Sequence, residues 1–227
     1  ECACALKESG LRLSAALCGA DTGSLIWTNT GTGALLTAVE GAVYHTRKGD
    51  IVTSPLEHPA LESVLRRVAQ REGRALHFCK AGRDGQLDLD SLEAVLNENT
   101  ALLAVHHVQS ETGTLQDLKA IRGILDRKAP NAVFLADTIQ SIGKIRVPWT
   151  EARLDIMTLS GQKIGCPSGG ALVYRPVLDK SMKRIRTLEH RIGRCVPAAA
   201  MTVANHLSEL LLEIDENAVY AAELKDT

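Results

Sequence analysis

Short apolar runs alternate along this chain with longer stretches in which apolar residues recur every three or four positions. Short runs suit buried strands, and the longer period suits helices packed on them. Alternation of this kind builds βαβ units on a mostly parallel sheet, so the expected architecture is α/β with helices on both faces. Strands are expected at Leu25–Thr28, Ile51–Ser54, Ala75–Phe78, Ala101–His107, Ala132–Ala136, Asp155–Leu159 and Gly170–Tyr174. Helices are expected over 4–18, stopped by Gly19, over 34–46, near 88–97 and over 117–127. Another opens at Pro55 and carries Leu61, Val64, Leu65 and Val68 on one face; a closing helix carries Val203, Leu207, Leu210, Leu211 and Ile214. Gly49-Asp50 and Asp84-Gly85 read as turns, and Lys180–Arg186 as a solvated basic helix face. With 227 residues, 45% of them hydrophobic, one sizeable core is the default.

In open sheets of this kind, ligands bind beyond the carboxyl ends of the strands. Thr28-Asn29-Thr30-Gly31-Thr32-Gly33 follows the first strand, Glu57-His58 the second, and Gln109-Ser110-Glu111 the strand ending at His107. Asp137 and Gln140 follow Ala132–Ala136, and Ser160, Gln162 and Lys163 follow Asp155–Leu159. Five strands thus send polar or ionisable groups to one edge. The Thr28–Gly33 turn lies between a strand and a helix, where free backbone N–H groups and hydroxyls bind phosphate. It lacks the third glycine of a dinucleotide fingerprint and the Gly-Lys-Ser/Thr of a P-loop. Asp137 ends an apolar strand, so its carboxylate is expected to be part-buried and to need a cationic partner. Two partners satisfy it: Lys163 in a plain ion pair, or a pyridinium nitrogen kept protonated so that its ring accepts electrons.

Charge and composition exclude several classes. Twenty-six basic and 27 acidic residues leave a formal charge of -1, with no electrostatic attraction for nucleic acid or an anionic membrane. Aromatic residues, at 3%, offer little for base stacking. No stretch approaches the roughly 20 apolar residues of a membrane span. Glu1-Cys2-Ala3-Cys4 has no basic region before an apolar run, so no secretory signal is read there. The six cysteines, at 2, 4, 18, 79, 166 and 195, form no zinc pattern and read as buried thiols of a reducing compartment, the cytoplasm. His106 and His107 are adjacent on a strand and point to opposite faces, so they do not share a metal, and no metal site is expected. No Gly-x-Ser-x-Gly elbow supports a serine hydrolase.

Four segments carry a resemblance. They are Glu57-His58-Pro59-Ala60-Leu61, His107-Val108-Gln109-Ser110-Glu111-Thr112-Gly113, Ala136-Asp137-Thr138-Ile139-Gln140-Ser141-Ile142-Gly143-Lys144, and Ser160-Gly161-Gln162-Lys163-Ile164 with Gly165, Pro167 and Gly169-Gly170 behind it. In order and spacing they resemble the motifs of cysteine desulfurases, fold-type-I pyridoxal 5'-phosphate (PLP) enzymes related to class V aminotransferases. The resemblance covers roughly residues 10 to 215. It implies a three-layer α/β/α large domain. It also implies that Lys163 holds the cofactor covalently and then shuttles protons. Asp137 would pair with the pyridinium nitrogen, and Gln140 would hydrogen-bond near the ring hydroxyl. His58 would stack on the ring and act in acid–base steps, while Thr32 and Ser160 bind the phosphate. Burial beside the cationic ring is expected to lower the lysine pKa.

The sequence also departs from the family. Gln162 stands where the family has a histidine phosphate ligand, and still offers a donor. Ser110 stands for an asparagine near the ring hydroxyl, and Gly33 and Leu35 replace an acidic residue and an asparagine. In Arg191-Ile192-Gly193-Arg194, Arg194 takes the place of a threonine that reaches the partner subunit's phosphate.

The resemblance further implies a homodimer that converts L-cysteine to alanine and enzyme-bound sulfur, with a sulfur-acceptor protein as partner. Residues 1–227 would be the PLP-binding large domain, incomplete at its N-terminus. The small C-terminal domain, with its nucleophilic cysteine and carboxylate-binding arginine, would follow them. Cys166 reads as structural. Rival readings are a related aminotransferase or selenocysteine lyase, and a non-catalytic homologue serving as a dimerisation or binding module.

Overall fold

The computed structural model describes residues 2–19, 21, 23–186 and 196–214. Its strands are β1 (Ser24–Thr28), β2 (Asp50–Thr53), β3 (Leu76–Phe78), β4 (Thr100–His106), β5 (Val133–Asp137), β6 (Ile156–Ser160) and β7 (Gly170–Tyr174). They form one seven-stranded sheet in the order β1-β7-β6-β5-β4-β2-β3. β7 runs antiparallel to both its neighbours, β1 and β6, and the other pairs are parallel. All strands except β7 therefore end at the same edge. The central strands are buried along their whole length, which is why they read as continuous apolar runs.

The helices are α1 (Cys2–Cys18), α2 (Gly31–Thr46), α3 (Pro59–Glu72), α4 (Leu89–Val95), α5 (Leu118–Lys128), α6 (Asp179–Arg186) and α7 (Pro197–Leu212). Side chains alternate across each strand. Leu102, Ala104, Val133 and Leu135 face α2, α3 and Met182 of α6. Leu103, Val105, Phe134 and Ala136 face α4 and α5. Leu159 and Ala171 pack on α1 and α7 through Leu13, Val203 and Leu207. The result is the expected three-layer arrangement, with each fully buried leucine or phenylalanine contributing about 1.5–3 kcal/mol.

Two helix starts differ from expectation, and each has a polar cause. α2 starts at Gly31 because the Thr30 hydroxyl caps it, accepting the Gly33 amide at 3.0 Å. α3 starts at Pro59 rather than Pro55. The residues between form a loop in which Glu57 turns inward and His58 becomes the cap. α6 is not a wholly solvated basic face, since Ser181, Met182 and Ile185 are buried. No helix among the described residues is long and apolar enough to cross a membrane.

Candidate functional site

Beyond the common strand edge lies a cavity of about 300 Å³. Thr32, His58, Ser110, Asp137, Gln140, Ser160, Gln162 and Lys163, the residues singled out in the sequence, all line it. They arrive on the segments after β1, β2, β4, β5 and β6, so the topology gathers what the chain separates by more than 100 positions. Leu35, Leu56, Val108 and Ile139 supply apolar wall.

One end of the cavity is built to receive an anion. Thr30, Gly31 and Thr32 line it at the start of α2. The Gly33 amide is taken by the Thr30 hydroxyl and the Ala34 amide by the Thr30 carbonyl. The Gly31 and Thr32 amides have no acceptor among the described residues. The hydroxyls of Thr32 and Ser160 have no partner there either. Helix dipole, free amides and hydroxyls together favour a phosphate-sized anion. Two glycines allow the approach. A Cβ at Gly31 would lie 2.8 Å from Ser160 Cβ, and one at Gly170 would lie 2.5 Å from the Thr30 carbonyl carbon and oxygen.

The opposite chemistry sits at the end of β5. Asp137 is only 6% exposed. Its Oδ1 accepts the Ile139 amide at 3.1 Å and the Thr158 hydroxyl at 3.0 Å. Oδ2 accepts neither, and no cation among the described residues forms an ion pair with the carboxylate. The plain Asp137–Lys163 pair is therefore not made. Burial pushes the Asp137 carboxyl up to about 6; the Ile139 amide and Thr158 hydroxyl oppose this, and the nearby Glu57 carboxylate adds to it. A buried carboxylate open to a cavity and lacking a cation is a receptor for one.

Lys163 stands on a short 3-10 turn, Gly161–Ile164, directly after β6. It is exposed, contrary to the burial expected of it, because Gly161 and Ile164 fill the inward positions of that turn. Its amine makes no hydrogen bond or ion pair among the described residues, so it is free to react with what enters. Gln162 is likewise exposed. His58 is exposed too, and its Nδ1 accepts the Ala60 amide at 3.1 Å. That bond places a neutral ring's proton on Nε2. Gln140 accepts from Lys144 Nζ at 3.2 Å. The Lys144 amine is held below its ordinary range by partial burial and by the charge of Lys163. Ser110 is half-buried on a loop organised by Gln109, whose Oε1 takes the Glu111 and Thr112 amides.

Sequence reasoning missed His106. It treated both strand histidines alike, yet His106 lines the cavity while His107 does not. His106 Nδ1 lies 2.9 Å from Glu57 Oε1 and its Nε2 lies 3.1 Å from Gln116 Nε2. The strand alternation was the signal: His106 shares a face with Asp137, its register partner on β5. His107 is buried elsewhere, and burial lowers its pKa to about 4. Cys18, Cys79 and Cys166 are buried and Cys4 is exposed; none lines the cavity. Arg194 and Cys195 lie outside the described residues.

The cavity can thus hold a planar molecule with an anion at one end, a cationic nitrogen at Asp137 and a group reactive toward an amine near Lys163. A cysteine desulfurase of a Nostoc species is 36% identical over 163 residues, 71% of this chain and 40% of the relative. The cysteine desulfurase IscS of Pseudomonas fluorescens is 31% identical over 201 residues, 88% of this chain and 48% of the relative. The chain therefore spans about half the length, or less, of these relatives. Among solved structures, a NifS-like protein superposes with a TM-score of 0.81 at 18% identity, covering 99% of this chain and 63% of that one. DndA from Streptomyces lividans gives 0.77 at 23% identity, covering 95% and 63%; at such identities the likeness is one of fold. The family model described as aminotransferase class-V matches residues 11–203, and the chain belongs to that family.

Proposed function

We propose that this chain is the PLP-carrying large domain of a cysteine desulfurase, the enzyme that takes sulfur from L-cysteine and leaves alanine. One observation carries the reading: a buried carboxylate and a lysine, each without an ion-pair partner among the described residues, share one cavity with an anion cradle. PLP has the matching features, a basic ring nitrogen, a phosphate and an aldehyde. The similarity to cysteine desulfurases supports this choice of reaction.

The residues present fit the cofactor. The Gly31 and Thr32 amides, with the Thr32 and Ser160 hydroxyls, would hold the phosphate, and Gln162 lies beside them on the lysine turn. Asp137 Oδ2 would hold the protonated ring nitrogen. Gln140 and Ser110 would address the ring hydroxyl, and His58 would cover a ring face. Bound there, PLP supplies an electron sink for a substrate carbanion. Lys163 would anchor the aldehyde and afterwards carry protons. The Nε2–H of His58 is a proton donor at the cavity mouth. Asp137 keeps the ring cationic, since a carboxylate at this position loses its desolvation penalty when a cation joins it.

We assign the sulfur-accepting step to none of the described cysteines. No described cysteine lines the cavity, and burial raises Cys18 and Cys79 to about 11, far from a reactive thiolate. We assign the nucleophilic cysteine and the carboxylate-gripping arginine to the small domain of the whole protein. That protein would be a cytoplasmic homodimer that passes its sulfur to an acceptor protein. The same observation favours a second reading, in which this stretch binds PLP without turning over cysteine.

The test is to mix the 227-residue chain with PLP, reduce with borohydride and map the peptides by mass. A pyridoxyl adduct on the Lys163 peptide, lost in Lys163→Ala, is expected. Adducts spread evenly over surface lysines would remove the reading.

A further inference from the structure

Behind the cavity wall lies a chain of buried polar groups that the roles above do not use. Glu57 has a fully buried side chain, and its Oε2 has no hydrogen-bond partner. Its Oε1 takes the Ser54 hydroxyl and faces His106 Nδ1 at 2.9 Å. On the far side of the ring, His106 Nε2 meets Gln116 Nε2 at 3.1 Å. Gln116 is held by the main chain at both ends of its amide. Its Oε1 accepts the Leu87 amide at 3.0 Å, and its Nε2 donates to the Gly85 carbonyl at 2.8 Å. The amide cannot be flipped without losing both bonds, so the nitrogen facing His106 is a donor. His106 Nε2 must then accept, and its proton sits on Nδ1 and points at Glu57.

This lock has an electrostatic consequence. With Nε2 committed to accepting from the Gln116 amide, His106 offers Glu57 its Nδ1–H alone. Glu57 follows β2 and Asp137 ends β5, with β4 and the imidazole of its His106 between them. His106 and Asp137 are register partners on β4 and β5. Among the described residues neither carboxylate has a lysine or arginine partner.

We propose that His106 is a positioning residue, fixed by Gln116 as the Nδ1–H form, which holds the buried Glu57 carboxylate across β4 from Asp137 so that the cavity selects a cationic aromatic ring. Asp137 would hold the ring nitrogen, and Glu57 would act on the same charge from the other side of His106. Burial alone would bias Asp137 toward its neutral form, and the Glu57 charge strengthens that bias while the cavity is empty. Both carboxylates are relieved together when a cation enters. The inference rests on the PLP reading and adds to it a reason for the ring's charge.

The test compares two ligands that differ at one ring atom. PLP carries a basic nitrogen; 1-deazapyridoxal 5'-phosphate keeps the phosphate, hydroxyl and aldehyde but has C–H in its place. Glu57→Gln preserves volume and an acceptor for His106 and Ser54 while removing the charge. Affinity for PLP is expected to fall about tenfold in Glu57→Gln, the equivalent of ~1.4 kcal/mol, with affinity for the deaza analogue unchanged. Equal losses for both ligands, or no loss for either, overturn the role of Glu57. A wild-type chain that binds neither ligand overturns the cofactor reading as well. Histidine-selective nitrogen-15 NMR of the wild-type chain, with His106 assigned through His106→Gln, needs no folded Glu57 variant. The His106 proton is expected on Nδ1, and finding it on Nε2 overturns the lock.

Discussion

The Thr158 hydroxyl reaches across from β6 to Oδ1 of Asp137 at 3.0 Å. With the Ile139 amide on the same oxygen, this decides which face of the carboxylate is left for a ligand. Thr158 is fully buried, so the bond is not shared with solvent. Thr158→Val keeps the shape and removes the donor. A hydrogen bond to a carboxylate is worth about 1.5–3 kcal/mol, and the abandoned oxygen stays buried. Thr158→Val is expected to lower the urea midpoint at neutral pH and weaken PLP binding, with Thr158→Ser restoring much of both. Equal losses in Val and Ser variants would mean that packing, not the hydroxyl, matters at this position.

Two glycines make a graded prediction. A Cβ at Gly31 meets Ser160 Cβ at 2.8 Å and Ile139 Cδ1 at 3.0 Å, both side-chain atoms. A Cβ at Gly170 meets the Thr30 main chain at 2.5 Å, and backbone has nowhere to go. Gly31→Ala is expected to cost about 1–3 kcal/mol as ordinary overpacking, and to loosen phosphate binding by pushing α2 off Ser160. Gly170→Ala is expected to cost more, because it separates β7 from the turn before α2. Urea denaturation of both variants, with inorganic phosphate as a competing ligand, checks the order.

His58 has a structural duty as well as a proposed chemical one. Its Nδ1 caps α3 by taking the Ala60 amide. Loss of a cap costs about 1 kcal/mol. His58→Ala is expected to lose both that stability and the ring over the cofactor. His58→Asn keeps an acceptor at the cap and loses only the ring. Thermal unfolding should separate the two variants, while the absorbance spectrum of bound PLP should shift in both. If both variants unfold alike, the cap is not carried by the side chain.

Much of this was legible in the sequence, for physical reasons. Ala132–Ala136 and Ala101–His107 read as strands because a strand buried on both faces tolerates no polar interruption. Asp137 stood out because it broke that rule at a strand end, where such sheets place ligands. Lys163 and Ser160 were found the same way. What remained hidden depended on pairs distant in the chain. That Glu57 would turn inward, and so delay α3 from Pro55 to Pro59, rests on Ser54 and on His106, which lies 49 residues further along. His106 looked like its neighbour His107 until the strand register put it beside Asp137. The exposure of Lys163 follows from which residues of a four-residue turn face inward, and a run that short has no period to read.

Asp137 also sets a pH dependence whose sign is fixed. Its carboxyl, ordinarily near 3.8, is raised to about 6 by burial. Well below 3.8 both folded and unfolded chains hold the proton. Between 3.8 and 6 the unfolded chain has released it and the folded chain keeps it, so the native state binds more protons and stability falls as pH rises. The stabilisation is fully present below the unfolded value and is lost as pH passes through about 6. The loss is on the order of 1–3 kcal/mol, at ~1.4 kcal/mol per unit. Asp137→Asn removes the titration and still lets Oδ1 accept from Ile139 and Thr158. Without cofactor, Asp137→Asn is expected to exceed the wild type in urea midpoint at pH 7.5, with the gap shrinking toward pH 4.5. Added PLP should reverse the order, because only the wild type gains an ion pair at the ring nitrogen. A gap that stays constant with pH would mean that a cation already compensates Asp137 in the empty cavity, and the site would then have no charge to offer a cofactor.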